Sequence, residues 1–236
     1  IGPDGAPLPA TTVIRHARPG SGADPQRQAD PHAHAVELSP DARFALVAEL
    51  GLDRVMIYAF DARSGRLEAH ARQPWIAAAP GAGPRQIVMH PGGRFAYAIN
   101  ELDSTVTAYD YDAATGRLGA MQTLSALPAS FVGVSYGAEL QIHPSGRFLY
   151  ASNRGHDSIA VFTLDRARGT MSARGHVGSA GRFPRGFCVT PDGHFLLVAN
   201  QDSDNVASFA IDQDTGIPAP TGHEIAVGTP VCVRVP

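Results

Sequence analysis

The segment "HPSGRFLYASNRGHDSIAVFTLD", residues 143–165, decides the fold, because three further segments align with it without a gap. They are "SPDARFALVAELGLDRVMIYAFD" (39–61), "HPGGRFAYAINELDSTVTAYDYD" (90–112) and "TPDGHFLLVANQDSDNVASFAID" (190–212). Their phenylalanines, Phe44, Phe95, Phe148 and Phe195, stand 51, 53 and 47 residues apart. An aspartate lies 17 residues beyond each (Asp61, Asp112, Asp165, Asp212) and a glycine 21 beyond (Gly65, Gly116, Gly169, Gly216). Two fixed offsets, each met four times, mark an internal repeat, and a repeat speaks to architecture more directly than local propensity does.

Each unit reads as four short strands. Strand A is the apolar run before the proline, as in "QIVM" (86–89). "FAYAIN" is a strand B, "TVTAYDY" a strand C, and strand D follows the glycine, as in "RLGAMQTLSAL". These runs are rich in β-branched and aromatic residues, with turn-forming residues between them. No stretch carries a convincing helical period. The expected fold is all-β: a β-propeller of four-stranded antiparallel blades. Full blades are expected at about 31–80, 81–133, 134–181 and 182–228, within one propeller domain over 1–236. "DGAPLPATTVIRHA" before them reads as a lone strand D, and "PVCVRV" after them as a lone strand A. That makes about five blades' worth of a larger ring, since seven blades need roughly 350 residues.

Composition narrows the function. The chain has 236 residues, 44% of them hydrophobic, with a net charge of −3. That balance argues against a nucleic-acid or membrane-surface partner. All 19 basic residues are arginine, which excludes lysine chemistry and leaves anions to Arg, His or backbone N–H groups. Cys188 and Cys232 make no disulfide framework, and both are expected as buried free thiols in a cytoplasmic protein. "IGPDGAPLPA" has neither a basic region nor an apolar stretch, so no signal peptide is read, and the start of the gene product is expected upstream.

Adjacent His156, Asp157 and Ser158 suggest a hydrolase triad, but neighbours in sequence cannot adopt triad geometry. Asp157 aligns with Asp53, Ser104 and Asp204, and Ser158 with Arg54, Thr105 and Asn205, which is turn chemistry before strand C. His156 has no recurring counterpart and stays a candidate for substrate binding.

Connectivity separates the other polar residues into two faces. The A–B and C–D turns share one end of a meander, and the start of A and the end of B share the other. At the turn end, Arg43, Arg94, Arg147, His90 and His143 recur, so they are expected to make turn hydrogen bonds and to pair with the recurring aspartates. At the opposite end the residues change from blade to blade. Six residues before each proline stand His34, Arg85, Ala138 and Arg185. Six after each phenylalanine stand Leu50, Glu101, Arg154 and Gln201. A position that varies on a constant scaffold is expected to carry function, and these side chains are expected to converge at the channel mouth around an anionic ligand. The competing reading is a set of solvated loop charges. His32 and His34 in "PHAH" share a strand face, but without further ligands no metal site is expected.

These residues also carry a resemblance. "PHAH", "LGLDRV", "PGAGPR", "INELDSTV", "HPSGRFLYASNRGHDSIAVF", "PRGF" and "VANQDSDNV" resemble, in that order, the seven-bladed β-propeller lactonase family. That family includes cycloisomerase-type 6-phosphogluconolactonases and the fungal carboxy-cis,cis-muconate cyclase. The resemblance runs from about residue 24 to the C-terminus and implies roughly two further blades on the N-terminal side. It implies hydrolysis of a phosphorylated sugar lactone in carbohydrate metabolism, without a metal or organic cofactor. The family's proposed site residues fall on His32 or His34, Arg85, Glu101 and Arg154; Arg185 is added from the blade comparison. Glu101 or a "PHAH" histidine would then be the general base, Arg85 and Arg154 the oxyanion donors, and Arg185 the phosphate anchor, with Gln201 beside it. Gln86, Glu49 and Ala42 depart from the residues the family usually has there, and "SFVGVSYGAEL" (130–140) is less polar than expected ahead of Glu139. The same arginines would serve a lactonising muconate-type cyclase. "FLLVANQDSDNVASFAID" also resembles non-enzymatic YVTN-type binding propellers, which the blade-specific charges disfavour.

Overall fold

A computed structural model describes residues 4–235 and folds the four repeats into four antiparallel sheets, each in A-B-C-D order. Blade 1 has strands A Ala33–Leu38, B Phe44–Glu49 and C Arg54–Asp61, and its strand D is split into Arg66–Ala69 and Trp75–Ala77, both paired with C. Blade 2 runs through Pro84–Met89, Phe95–Asn100, Thr105–Asp112 and Arg117–Ser125. The strands of blade 3 are Tyr136–Ile142, Phe148–Arg154, Ser158–Leu164 and Met171–Gly178. Those of blade 4 are Pro184–Val189, Phe195–Asn200, Asn205–Ile211 and Pro218–Ala226. A single 3-10 turn, Gln201–Ser203, follows strand B of blade 4. Among the described residues no helix is long and apolar enough to cross a membrane.

The apolar cores lie between blades. One joins blades 1 and 2 around Leu46, Ile57 and Tyr109; a second joins blades 2 and 3 around Tyr97, Ile99 and Phe162; a third joins blades 3 and 4 around Tyr150, Phe187 and Phe209. Blades 2 and 3 have a neighbour on each side, so both faces of their strand B are covered and every residue of it is buried.

The recurring phenylalanine and glycine meet across these seams. Gly116, Gly169 and Gly216 end their C–D turns at φ of +74°, +72° and +75°, where a side chain is strained. A Cβ on each would lie 2.4, 2.3 and 2.4 Å from the ring of Phe44, Phe95 and Phe148, the phenylalanine of the preceding blade. Tyrosine and histidine from the earlier blade then satisfy carbonyls of the later one. Tyr97 Oη donates to Gly169 O (3.0 Å), Tyr150 Oη to Gly216 O (2.8 Å), His90 Nε2 to Gly146 O (3.0 Å) and His143 Nε2 to Gly193 O (2.9 Å). Phe195 in blade 4 has no following glycine in this chain and is 44% exposed, against 2% for Phe95 and Phe148.

Three expectations need correction. The recurring aspartates do not pair with the recurring arginines; they cap their own turns, as Asp112 Oδ1 accepts from Ala114 N at 2.9 Å and Asp165 Oδ1 from Ala167 N at 2.9 Å. Arg147 instead reaches the next blade, donating to Gln213 O (3.1 Å) and Asp214 O (3.0 Å). The segments read as lone strands at either end are not strands among the described residues, since neither has a neighbouring strand to ladder with. Cys188 is buried in strand A of blade 4, but Cys232 is exposed, in a segment that joins no sheet.

Replacing Gly169 with alanine forces a Cβ into the Phe95 ring at a positive φ, and should cost about 2–4 kcal/mol. Urea unfolding of the variant checks this. Gly119→Ala is the control, since nothing lies within 4 Å of its added Cβ.

Candidate active site

Strand A of every blade carries a β-bulge at the same place. In blade 1 the register steps from Ala33↔Glu49 to Ala35↔Ala48, leaving His34 as the extra residue. Blade 2 steps from Pro84↔Asn100 to Gln86↔Ile99 around Arg85, and blade 4 from Pro184↔Asn200 to Gly186↔Ala199 around Arg185. Blade 3 steps from Gly137↔Asn153 to Leu140↔Ala151, with Ala138 and Glu139 in the bulge. A bulge breaks the two-residue alternation of a strand and re-aims the side chain that it carries. The blade-specific position is thus the bulge position. For the same reason His32 and His34 do not act as a pair: the His32 ring bonds the carbonyl of Arg27 (2.8 Å), whereas His34 enters the channel.

Glu101 gathers three arginines. It leaves strand B of blade 2, with its N–H donating to Gly83 O at 2.7 Å. Its Oε2 accepts from Arg85 Nε (3.1 Å) and forms an ion pair with Arg154 Nη2 (2.9 Å). Its Oε1 accepts from Arg27 Nε (3.2 Å) and Nη2 (2.7 Å). Arg85 also donates to Ala138 O (2.5 Å) and Arg154 to Gly137 O (3.0 Å), so strand A of blade 3 fixes both guanidiniums. Arg154 is flanked by the rings of Phe183 and Tyr136, at 5.3 and 5.8 Å, and its buried Nε has no partner among the described residues. Glu101, Arg85 and Arg154 are 4%, 4% and 6% exposed, which removes the reading as solvated loop charges.

Charge at the site follows from this packing. Burial raises the Glu101 carboxyl, but Arg154, Arg27 and Arg85 outweigh it and hold the group below the usual glutamate range. Burial and then the neighbouring Arg154 lower Arg85 to about 10, so it stays charged at neutral pH. The His34 ring remains open to solvent, yet desolvation by the channel wall, followed by repulsion from Arg85, pushes it down to about 4. A neutral imidazole therefore stands beside several guanidiniums.

His34, Arg85 and Arg185 line a channel cavity of about 410 Å³ that also includes Glu139 and Arg234. Arg185 Nη1 donates to Gln201 Oε1 at 3.2 Å, so these two candidates come together as well. His156 does not join them. Its Nδ1 lies 2.6 Å from Ser158 Oγ, and its ring packs at 4.8 Å from Phe131 and 5.7 Å from His176. A larger hollow of about 600 Å³, between the N-terminal segment and blade 1, holds none of the cluster. Among the described residues no group of three or more His, Cys, Asp or Glu side chains is placed to hold a metal ion.

The blade comparison missed Arg27 because it lies outside the repeats. Its placement follows from the next residue, which carries no mark in the sequence: Gln28 is fully buried and its amide donates to Leu50 O (2.8 Å) and Asp53 Oδ1 (2.7 Å). That anchor lays the loop across the channel mouth and brings Arg27 onto Glu101.

Residues 1–235 match the family model for lactonase, 7-bladed β-propeller, and the chain belongs to that family. It is 35% identical over 175 residues to a 6-phosphogluconolactonase of Bacillus subtilis, covering 74% of this chain and 48% of that protein. It is 39% identical over 154 residues to a 6-phosphogluconolactonase of Pectobacterium carotovorum, covering 65% and 46%. Among solved structures, the periplasmic gluconolactonase PpgL of Pseudomonas aeruginosa superposes with a TM-score of 0.90 at 34% identity, over 98% of this chain and 63% of that one. A protein described as a putative 6-phosphogluconolactonase of Bacteroides fragilis gives 0.89 at 36%, over 98% and 65%. The chain spans about half the length of the curated relatives it matches.

Proton NMR should give a His34 titration midpoint near 4, and Arg85→Gln should move it upward by removing a neighbouring positive charge. A midpoint at the ordinary histidine value in the unsubstituted protein would contradict the geometry.

Proposed function

We propose that the site hydrolyses the ring ester of a phosphorylated sugar lactone, as a 6-phosphogluconolactonase does. The observation that carries this is the excess of guanidinium over carboxylate at a channel mouth: Arg27, Arg85 and Arg154 converge on the single carboxylate of Glu101, with Arg185 on the adjoining cavity wall. A small anionic substrate suits this charge. Arg185, supported by Gln201, holds the phosphate, since a guanidinium matches phosphate oxygens in pairs. Arg85, aimed into the cavity by its bulge, meets the oxyanion that develops on the lactone carbonyl. Glu101 holds Arg85 in place and favours its charge against burial and the neighbouring Arg154, while the neutral His34 ring offers a hydrogen-bonding group beside it.

The 6-phosphogluconolactonase names of the Bacillus and Pectobacterium relatives support this substrate class. Free Cys188 and Cys232 fit a cytoplasmic setting; cell fractionation tests it against the periplasmic setting of PpgL. A lactonising cyclase would use the same arginines on a carboxylated diene, and assays with both substrates separate the two.

Steady-state hydrolysis by the intact gene product tests the roles. Arg185→Ala should raise KM about 10- to 100-fold with a smaller change in kcat, the pattern of lost ground-state binding. Glu101→Gln should lower kcat/KM at least about 100-fold, because it leaves Arg85 and Arg154 buried without their counter-ion. Full activity in both variants would overturn the assignment.

A further inference from the structure

Ester hydrolysis needs a group that takes a proton from water, and Glu101 is badly placed for it. Both its oxygens accept from guanidiniums, its basicity is lowered, and it does not line the cavity. His34 lines the cavity, but among the described residues it has no hydrogen-bond partner to orient it.

Glu139 has what both lack. It sits in the blade 3 bulge, where its N–H donates to Ser152 Oγ (2.9 Å) instead of completing the ladder, and it is 8% exposed. It lines the cavity with His34, Arg85 and Arg185. Two amides fix its Oε1: Gln86 Nε2 from blade 2 at 2.9 Å and Gln141 Nε2 at 3.1 Å. Gln141 is itself locked onto blade 4, donating to Phe187 O (2.7 Å) and accepting from Val189 N (3.0 Å). Arg234 Nη1 lies 3.8 Å from the same Oε1. No donor among the described residues reaches Oε2, and Oε2 is not one of the sealed, unpartnered polar atoms. One oxygen is clamped and the other is open, which is the arrangement of a general base oriented by its neighbours.

We infer that Glu139 is the general base of the hydrolysis and that Glu101 is a positioning residue that gathers the arginines; this rests on the lactonase reading above. Glu139 Oε2 takes a proton from water as the water oxygen bonds to the lactone carbonyl carbon. The carbonyl π pair moves onto its oxygen, facing Arg85. On collapse that pair re-forms the carbonyl, the ring C–O bond breaks, and the leaving alkoxide takes the proton back from Glu139. One water is consumed and one hydroxy acid is released.

Glu139→Gln and Glu139→Asp in the intact gene product test this, with thermal melts to establish folding. Glu139→Gln should lower kcat about 100-fold or more with KM changed by less than about threefold. Its residual rate should become first-order in hydroxide, rising about tenfold per pH unit, since the protein no longer deprotonates water. Glu139→Asp should recover part of kcat if a carboxylate is what matters. If Glu139→Gln keeps more than about half of kcat, or if a folded Glu139→Asp is no better than Glu139→Gln, the base assignment is wrong and the lactonase reading stands. If the unsubstituted protein opens no phosphorylated sugar lactone, both fall.

Discussion

The contact of Phe44, Phe95 and Phe148 with the glycine of the following repeat governs this structure. A blade has two broad apolar faces and no core of its own, so it must lie flat against its neighbours. The left-handed glycine removes the one Cβ that would hold blades apart at the rim, and the phenylalanine fills the space left open. Tyrosine and histidine side chains then satisfy carbonyls of the adjacent blade, so the seam buries few unpaired polar groups. With the outer seam fixed, the strands A are brought side by side along the channel.

That placement makes the bulges useful. A regular strand A would alternate between the channel and the sheet interior, and a long charged side chain would meet the neighbouring blade on every second position. One extra residue per strand, at the same depth in all four blades, lets His34, Arg85 and Arg185 enter the channel without disturbing the apolar pattern that follows, and in blade 3, where Ala138 takes that place, Glu139 beside it lines the cavity. The scaffold thus separates two tasks. Seam residues stay constant because the ring geometry is constant, whereas no seam contact confines the bulge residues to one type.

Glu101 turns these positions into one electrostatic unit. Arginines this close repel, and burial penalises each charge, so without a shared anion their guanidiniums would turn toward water. A single carboxylate offsets part of that cost and leaves the mouth positive, which adds to desolvation in keeping the His34 imidazole neutral. The same saturation lowers the basicity of Glu101, whereas a second carboxylate, Glu139, is held through one oxygen by two amides and lines the cavity with Arg85.

Much of this was legible in the sequence. The offsets from Phe44, Phe95, Phe148 and Phe195 fixed the repeat, because a seam that recurs must recur in residue type. Columns that changed from blade to blade exposed Arg85, Glu101, Arg154 and Arg185, because departure from a repeat is visible without any structure. Only the tertiary structure decided the rest. A bulge is a mismatch between two strands, so one strand's sequence does not reveal it, and the alternation expected for His32 and His34 failed there. Arg27 lies outside the repeat and reaches Glu101 from 74 positions away. His156 stood out in the alignment but turned to the aromatic pair of Phe131 and His176, away from the arginines. Periodicity records what each blade shares with the next, whereas the direction of a side chain depends on the strand and loop packed against it.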